Sequence, residues 1–326
     1  MKDVIGFGAL NLDLIYEIPD ISKIDGVEKI VESGGEVSGD INDFESVLKY
    51  LEIHGKLKCR SGGGQAANTI TALSRMGFNT GYIGKAGRDE DGEFLIQSLE
   101  GVDTKGICKD ERSGLCIAIL NKIENRKSYL ILPNCNDTLS YDEIDPDFAR
   151  DTRFIHITSF IGDIPFKAQE RLAGELSSKV KISFDPNQPY AKKGLEKLIK
   201  LIKNSYILFL TEREIEFITN KRYYKDGANE LLSLGPQIIV CKLGAEGSYV
   251  LSNEEEIEMP PDQQVEVVDM VGAGDVYAAG FLAGLLLERS LYDCALFATK
   301  AAGLSISGYG RERYPDRQFL QRCLNL

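Results

Sequence analysis

Short runs of β-branched and aromatic residues alternate with helix-like segments through the second half of the chain. The runs fall at residues 154–158, 181–184, 206–210 and 238–242. A strand that is apolar on both faces must be covered on both sides, as a parallel strand is when helices pack above and below it. The pattern therefore predicts an α/β fold, with an open, mostly parallel sheet and helices on both faces.

The first half of the chain continues the same alternation. Residues 4–7 and 80–83 predict further strands, and between them residues 65–76 predict a helix that ends at Gly77. Residues 34–40 predict a Gly-rich turn. Because we find neither a linker nor an internal repeat, we expect residues 1–326 to form a single domain.

A second kind of strand is predicted where polar and apolar residues alternate. This pattern occurs at residues 12–18, 115–120 and 128–132. Alternation is typical of a half-exposed strand, so these segments predict a small β structure outside the main sheet. Residues 42–51 predict a helix capped by Asn42 or Asp43.

Two closely packed helices are predicted near the carboxyl end, over residues 276–308, which are rich in Ala and Gly. Small residues allow two helices to approach closely.

The charge balance excludes several classes of partner. Thirty-eight Lys and Arg residues against fifty Asp and Glu residues give a net charge of −12. This field repels nucleic acid and anionic membranes, and no apolar run reaches the roughly 18 residues that a membrane-spanning helix needs. The amino terminus lacks the cationic start of a signal peptide, so we expect a cytoplasmic protein.

Cysteine and histidine chemistry is not expected. The seven cysteines are scattered without a C-x-x-C pair, which predicts reduced packing residues. Of the two histidines, His156 lies in a predicted strand and is expected to be a hydrogen-bonded core residue. Histidine-based zinc sites and Ser-His-Asp hydrolysis are therefore improbable.

The strongest local motif is the segment 269–275, Asp-Met-Val-Gly-Ala-Gly-Asp, which runs directly into an apolar helix. Small residues followed by a helix N-terminus form a cradle for an anion. An acid at the edge of that cradle, Asp275, competes with the anion unless it has a chemical role, such as accepting the proton of a hydroxyl that attacks a phosphoryl group. The alternative is that Asp275 only caps the helix.

A second Gly-rich loop lies at residues 62–68, Gly-Gly-Gly-Gln-Ala-Ala-Asn. It allows a ligand to approach the backbone, and Asn68 can both donate to and accept from sugar hydroxyls. The loop also fits a relaxed dinucleotide fingerprint. The acid expected about 20 residues later is absent, however, and no Walker A motif is present.

These two motifs resemble the two signatures of the PfkB, or ribokinase-like, carbohydrate kinase family. The first signature continues through Gly77, Gly84, Gly87, Asp89 and Gly92. Other segments that resemble the family are 6–13, 134–139 and 242–247, so the resemblance covers nearly the whole chain.

The resemblance implies a role for each matching residue. The acceptor hydroxyls would bind to Asp13, Gly63, Gly64 and Asn68. The general base would be Asp275, and the transferred phosphoryl group would be held by the N–H groups of Gly272, Ala273 and Gly274. The nucleotide would lie near Lys242, Gly244, Gly247 and Asp269, and the hydrated magnesium near Glu214.

The resemblance also implies a water-excluding lid formed by residues 11–33 and 113–133, which in relatives often makes a dimer contact. The expected donor is ATP, with Mg²⁺ and a monovalent cation (K⁺) as cofactors. The expected reaction transfers the γ-phosphate to a primary hydroxyl of a sugar, sugar derivative or nucleoside. For Lys242 a solvated surface position is the alternative to a nucleotide contact.

The sequence departs from the family pattern at several places. Thr211 replaces the usual Asn of Asn-x-x-Glu, and Val271 replaces a common Thr. Residues 185–188, Asp-Pro-Asn-Gln, lack the arginine of several sugar-kinase subgroups, and the segment 34–60 is longer than usual. Two alternatives therefore stay open: a dinucleotide-dependent oxidoreductase, and a non-catalytic metabolite sensor derived from a kinase.

Overall fold

A computed structural model describes residues 1–18, 36–121, 126–262 and 265–324. The strands in this part of the chain are β1 Lys2–Phe7, β2 Asn11–Ile18, β3 Glu36–Ser38, β4 Lys56–Gly63, β5 Thr80–Gly87, β6 Asp103–Asp110, β7 Gly114–Asn121, β8 Arg126–Leu132, β9 Thr152–Thr158, β10 Lys181–Asp185, β11 Ile207–Thr211, β12 Ile238–Lys242, β13 Ser248–Ser252 and β14 Glu256–Met259. The helices are α1 Ile41–His54, α2 Gln65–Met76, α3 Glu90–Gln97, α4 Pro146–Arg150, α5 Asp163–Leu176, α6 Asn187–Ala191, α7 Gly194–Asn204, α8 Glu212–Thr219, α9 Tyr224–Leu232, α10 Ala273–Leu286, α11 Leu291–Ser305 and α12 Arg317–Leu324.

The predicted open sheet is confirmed. Its strand order among the described residues is β14-β13-β12-β11-β10-β9-β1-β5-β6. All neighbours from β6 to β12 pair in parallel, whereas β13 and β14 add an antiparallel hairpin at one edge. Every residue of β5 is buried, as expected for a parallel strand that is covered on both faces.

Helices cover both faces of this sheet, as predicted. On one face, α2, α10 and α11 contribute to one apolar cluster. On the other face, α5, α7, α8 and α9 contribute to a second cluster. All of the parallel strands end on the same side of the sheet, which leaves their carboxyl ends open to a ligand.

A smaller, five-stranded sheet has the order β3-β8-β7-β2-β4. The predicted hairpin is confirmed as the antiparallel pair β7 and β8. The predicted turn at residues 34–40 is wrong at 36–38, because β3 pairs with β8 there. The strand β4 was not predicted. Of the expected first lid ribbon, residues 11–33, the structure describes residues 11–18 as β2, and residues 19–33 lie outside the described residues.

Helix α1 packs on this smaller sheet through Phe44, Val47 and Leu51. Its N-cap is Asp40 rather than Asn42 or Asp43: the Asp40 carboxylate accepts from the N–H groups of Asn42 at 2.8 Å and Asp43 at 2.9 Å. The residues of β7 and β8 that contact α1 alternate with residues that line the cavity described below. Helix α1 therefore covers the face of the small sheet that points away from the cavity.

The predicted close packing of two helices near the carboxyl end is confirmed for α10 and α11. A Cβ atom at Gly280 would lie 2.7 Å from Cα of Ala298 and 3.1 Å from Cβ of Ala301. Both neighbours belong to α11 and are fully buried. The helices can therefore approach this closely only because residue 280 has no side chain.

We predict that Gly280→Ala lowers the free energy of unfolding by about 1–3 kcal/mol, because the backbone of α11 must move to accommodate the methyl group. Gly174→Ala is the matched control: it also lies in a helix, but a Cβ atom there meets nothing within 4 Å. The control should stabilise the protein by about 0.4–1 kcal/mol. Urea denaturation compares the two variants, and equal stability of both would contradict the packing argument.

Candidate active site

A cavity of about 480 Å³ opens at the carboxyl ends of the parallel strands. Its walls come from the main sheet, from the small sheet and from the loop that precedes α10. It is lined by all of the predicted site residues except Gly63 and Asp269, namely Asp13, Gly64, Asn68, Glu214, Lys242, Gly244, Gly247, Gly272, Ala273, Gly274 and Asp275. Residues separated by more than 260 positions in the sequence thus share one site.

The loop before α10 ends in a left-handed glycine. Gly272 is the N-cap of α10 with φ of 76°, a backbone conformation that a side chain rarely tolerates. A Cβ atom there would lie 2.8 Å from Oη of Tyr314 and 3.4 Å from Nδ2 of Asn68. The N–H of Ala273 donates to the Met270 carbonyl at 3.2 Å. The glycine thus sets the tight turn that aims the N-terminus of α10 at the cavity.

Asp275 lies in the first turn of α10 and is 8% exposed. Its Oδ2 accepts from Nδ2 of Asn68 at 2.8 Å, and its own carbonyl accepts from Oγ1 of Thr69 at 3.0 Å. The cap of the helix is Gly272, while the Asp275 carboxylate bonds to a residue of α2. Its position is therefore determined by the packing of two helices and not by capping alone.

Burial raises the pKa of the Asp275 carboxyl to about 7 from its ordinary value of 3.8. The hydrogen bond from Asn68 and the charge of Lys242 lower it, whereas the charges of Asp185 and Asp13 raise it further. A carboxyl with a pKa near 7 is a far stronger base than an exposed aspartate, and much of it is still ionised at neutral pH. Asp275 thus has the protonation behaviour of a general base.

Asp13 of β2 lies directly against Gly63 of β4. A Cβ atom at residue 63 would collide with the Asp13 carboxylate, so the glycine is needed for this contact. Burial raises the pKa of Asp13 to about 7, Arg311 lowers it and Asp269 raises it. Gly63 therefore leaves the space that the Asp13 carboxylate occupies, and Asp13 itself lines the cavity.

The amide of Asn68 is held at both of its atoms. Nδ2 donates to Asp275, and Oδ1 accepts from Nε of Arg311 at 3.0 Å. We expected this amide both to donate hydrogen bonds to the hydroxyls of the acceptor substrate and to accept hydrogen bonds from them. In the structure, however, both of its polar atoms already bond within the protein. Arg311 itself was missed by the sequence reasoning, because it belongs to no motif and lies 243 positions from Asn68.

Lys242 forms a buried ion pair with Asp185. The distance from Nζ to Oδ2 is 2.5 Å, and the side chains are 13% and 1% exposed. Burial lowers the pKa of Lys242, but the charges of Asp185 and Glu214 raise it more, so the ammonium is charged. A Cβ atom at Gly274 would lie 3.5 Å from this Nζ. The alternative of a solvated lysine is wrong, because the ammonium lies beside the anion cradle.

Glu214 is 8% exposed and closes a capping box with Thr211. Its Oε2 accepts from the Thr211 N–H at 2.7 Å, and Oγ1 of Thr211 accepts from the Glu214 N–H at 3.3 Å. Burial raises the pKa of Glu214, as does the charge of Asp185, and Lys242 opposes both. In the described chain no group of three or more His, Cys, Asp or Glu residues could hold a metal ion by itself.

Of the other residues that were predicted to lie near the nucleotide, two line the cavity and one does not. Gly244 and Gly247 line the cavity in the turn after β12, with φ of 60° and 93°. Asp269 does not line the cavity. Its carboxylate accepts from the N–H groups of Val271 at 2.9 Å and Gly310 at 3.3 Å, so it fastens the loop before α10.

Other parts of the chain agree with the expectations from composition. His156 is buried, with Nδ1 2.8 Å from Oγ of Ser183, and burial lowers its pKa to about 3, which confirms the core position. All seven cysteines are in the described residues and none forms a disulfide. Within the same residues, no helix combines the length and the apolar character required to cross a membrane.

A family model for pfkB family carbohydrate kinases matches residues 35–315. The chain belongs to this family. Family membership excludes the alternative of a dinucleotide-dependent oxidoreductase. The structure agrees, because the glycine loop follows β4 of the small sheet and not a strand of the main sheet.

Known proteins resemble the chain over most of its length. An uncharacterized sugar kinase of Archaeoglobus fulgidus is 38% identical over 250 residues, which cover 74% of this chain and 98% of the relative. An ATP-dependent ribose-1-phosphate kinase of Halopiger xanaduensis is 28% identical and covers 87% of this chain and 94% of its own length. The crystal structure of adenosine kinase from Sinorhizobium meliloti superposes with a TM-score of 0.87 at 19% identity, covering 100% of this chain and 99% of that protein. The last comparison shows the fold.

We predict that Asp275→Asn stabilises the protein more at pH 8 than at pH 5. The folded protein binds a proton at Asp275 below about pH 7, whereas the unfolded chain binds it only near the ordinary value of 3.8. The contribution of Asp275 to stability therefore falls as the pH rises from about 4 to 7, by roughly 2–3 kcal/mol between pH 5 and 8, and the neutral amide avoids this loss.

Thermal and urea unfolding at both pH values measure the difference. Asp226→Asn, at an exposed carboxylate of α9, is the matched control for the removal of one carboxylate from a helix. A pH-independent effect of Asp275→Asn would contradict the raised pKa.

Proposed function

We propose that this protein transfers the γ-phosphate of ATP to a primary hydroxyl of a sugar, sugar derivative or nucleoside, with Asp275 as general base. The observation that carries the proposal is the position of Asp275. Its buried carboxylate, with a pKa of about 7, shares one cavity with Asp13 and Asn68 and stands at the N-terminus of α10. Family membership supports the reaction class.

In the proposed reaction the acceptor hydroxyl lies between Asp13 and Asp275. Asp275 takes the hydroxyl proton as the oxygen forms its bond to the γ-phosphorus, while the bond from that phosphorus to the β,γ-bridging oxygen breaks and ADP leaves. The N–H groups of Gly272 and Gly274, at the positive end of α10, would hold the charge that develops on the phosphoryl oxygens. The N–H of Ala273 would join them by leaving the Met270 carbonyl, to which it donates in the structure. Asp275 then releases its proton to solvent.

Lys242 supports this assignment as a fixed cation for the nucleotide phosphates. Its ammonium lies beside Gly274 and is paired with Asp185, so it needs no rearrangement when an anion arrives. Gly244 and Gly247 both line the cavity and carry no side chain, so the nucleotide can approach the backbone at these two positions. Asp269 contributes indirectly in this proposal, because it holds the loop in place.

The donor set also fits a magnesium ion that enters with the nucleotide. Mg²⁺ is commonly bound through one or two carboxylates, waters and substrate phosphates rather than by a cage of protein ligands, and it would neutralise charge on the phosphates. Glu214, whose pKa the nearby charge of Asp185 helps to raise, would supply a carboxylate for the ion, and Asp185 a second one. Thr211 lines the cavity in place of the usual amide. A K⁺ requirement stays a prediction.

The charges of the cavity favour a neutral acceptor. Among the described residues that line it, Lys242 is the one Lys or Arg, and it lies at the phosphate end. The acceptor end carries Asp13 and Asp137, and the wall from the small sheet is formed by Cys116, Tyr129 and Ile131. These groups suit hydroxyls and a flat or apolar body, and they disfavour a second phosphate.

We propose that the small sheet is the lid of a single ribokinase-like domain that spans the chain. The expected lid segments 11–33 and 113–133 contribute β2, β7 and β8 to this sheet, and β3 and β4 complete it. Tyr129 and Ile131 already contribute to the cavity wall. A homodimer through the lid stays a prediction, and it must take into account that α1 covers one lid face. The seven reduced thiols support a cytoplasmic location.

The proposal predicts ADP formation from Mg-ATP with at least one acceptor from a panel of pentoses, hexoses, keto-deoxy acids, sugar phosphates and nucleosides. Asp275→Asn should lower kcat about 10²- to 10⁴-fold, because the base is lost while the shape of the site is kept. Ribose 1-phosphate belongs in the panel because a relative bears that name. Ligand binding without turnover by the intact protein would favour the sensor alternative.

For the metal, we predict that Glu214→Gln raises the Mg²⁺ concentration for half-maximal activity about tenfold or more. The amide oxygen can still accept from Thr211, so the capping box is preserved while the charge is lost. Glu212→Gln, at the exposed start of the same helix, is the matched control. An unchanged Mg²⁺ requirement in Glu214→Gln would remove Glu214 from the metal site.

A further inference from the structure

Arg311 lies in the segment between α11 and α12 and is 8% exposed. Its Nε donates to Oδ1 of Asn68 at 3.0 Å, and its Nη1 donates to the carbonyl of Ser98 at 3.3 Å. The Arg311 carbonyl accepts from Nη1 of Arg75 at 2.5 Å. Side chain and backbone are thus both anchored, and the guanidinium is fixed behind the acceptor end of the cavity.

The guanidinium determines which way the Asn68 amide faces. An amide side chain has one accepting and one donating end, and rotation by 180° exchanges them. A guanidinium can only donate and a carboxylate can only accept, so the amide between Arg311 and Asp275 satisfies both partners in one orientation alone. The reversed amide would place its oxygen against the Asp275 carboxylate and its NH₂ group against Arg311.

We propose that Arg311 is a positioning residue for the general base, acting through the orientation of Asn68. Arg311 keeps the Asn68 amide donating to Oδ2 of Asp275, and the carboxylate is thereby held with its other oxygen directed to the acceptor hydroxyl. The inference rests on the proposed function, because it assigns Asp275 the role of base.

A purely structural role explains the arrangement less well. Arg311 Nη2 is buried and has no hydrogen-bond partner in the described part of the chain. An unsatisfied donor on a buried cation is destabilising. An apolar side chain of similar length would fill this space without that cost, but it could not orient the amide.

Several other groups also face Asp275. Charged or titratable side chains near Asp275 come from β2, β5, β12, the end of β10 and the segment before α12, and they are Asp13, Tyr82, Lys242, Asp185 and Tyr314. Loss of Arg311 can therefore act on Asp275 through Asn68, through the direct loss of a positive charge, or through Asp13, whose pKa Arg311 lowers. Of these three routes, the first alone depends on Asn68.

The test is a titration of the Asp275 carboxyl carbon by NMR in protein labelled with ¹³C at the Asp carboxyl groups, with Asp275→Asn to assign the signal. We expect Arg311→Met to raise the pKa of Asp275 above the wild-type value, and Arg311→Lys, which keeps a donor and the charge, to restore part of the shift. Asn68→Ala should raise the pKa by itself. Adding Arg311→Met to Asn68→Ala should then give no further shift.

A shift from Arg311→Met that persists in the Asn68→Ala background would reveal one of the other two routes and overturn the proposal, as would an unchanged pKa in the single variant. If Arg311→Met does not fold, Arg311→Lys alone and with Asn68→Ala makes the same comparison. Arg313→Met is the matched control: Arg313 is exposed, its Nε donates to Oγ of Ser307 at 3.5 Å, and its loss should leave the pKa of Asp275 unchanged.

The titration needs no substrate, so its outcome is separate from that of the kinase assay. Where the acceptor panel gives turnover, kcat of Arg311→Met should fall by a larger factor than KM changes. The acidic limb of its kcat–pH profile should also move to higher pH. A wild-type protein without turnover would contradict the proposed function, while the titration would still decide the role of Arg311.

Discussion

The hydrogen bond between Asn68 and Asp275 is the contact on which the rest of the site depends. It joins α2 to the first turn of α10, at a place where burial strongly disfavours a charged carboxylate. Without the hydrogen bond from Asn68 the pKa of Asp275 would be higher still. Without burial the pKa would be lower, and the carboxylate would be a weaker base. The balance between desolvation and one amide donor keeps the pKa near neutrality, where a base can both hold and release a proton.

The fold provides this balance through its topology. Parallel strands end on one side of the sheet, so Asp185, Thr211 and Lys242 reach the same edge from neighbouring strands. The glycines of the α10 loop let that helix start at this edge, and Gly280 lets it pack closely on α11. The small sheet then closes the cavity from the other side, with α1 covering the face of the sheet that the cavity does not use.

Much of the fold and of the site could be predicted from local sequence. The buried β-branched runs gave the main sheet, and the segment 269–275 identified the helix N-terminus and its acid. The strands β3 and β4 were missed because they are short or rich in polar and glycine residues, and only pairing with distant strands makes them β structure. The Asp40 cap was missed because a neighbouring Asn and Asp offered equally good local signals.

Contacts between distant residues could not be predicted in the same way. Arg311 meets Asn68 across 243 positions, and Lys242 meets Asp185 across 57. Nothing in the residues around Arg311 or Asp185 indicates a partner, since any exposed charge gives the same local pattern. The burial that makes these pairs chemically important exists only once the sheet and the helices have come together.

The central claim is that Asp275 faces the acceptor hydroxyl at the phosphate end of the cavity. A crystal structure of the protein with a non-hydrolysable ATP analogue, Mg²⁺ and the acceptor that supports turnover tests it most directly. The account predicts that the reacting hydroxyl lies within about 2.6–3.2 Å of an Asp275 carboxylate oxygen, with the γ-phosphate at the N-terminus of α10. A hydroxyl bound away from Asp275, or a phosphate bound elsewhere, would contradict it.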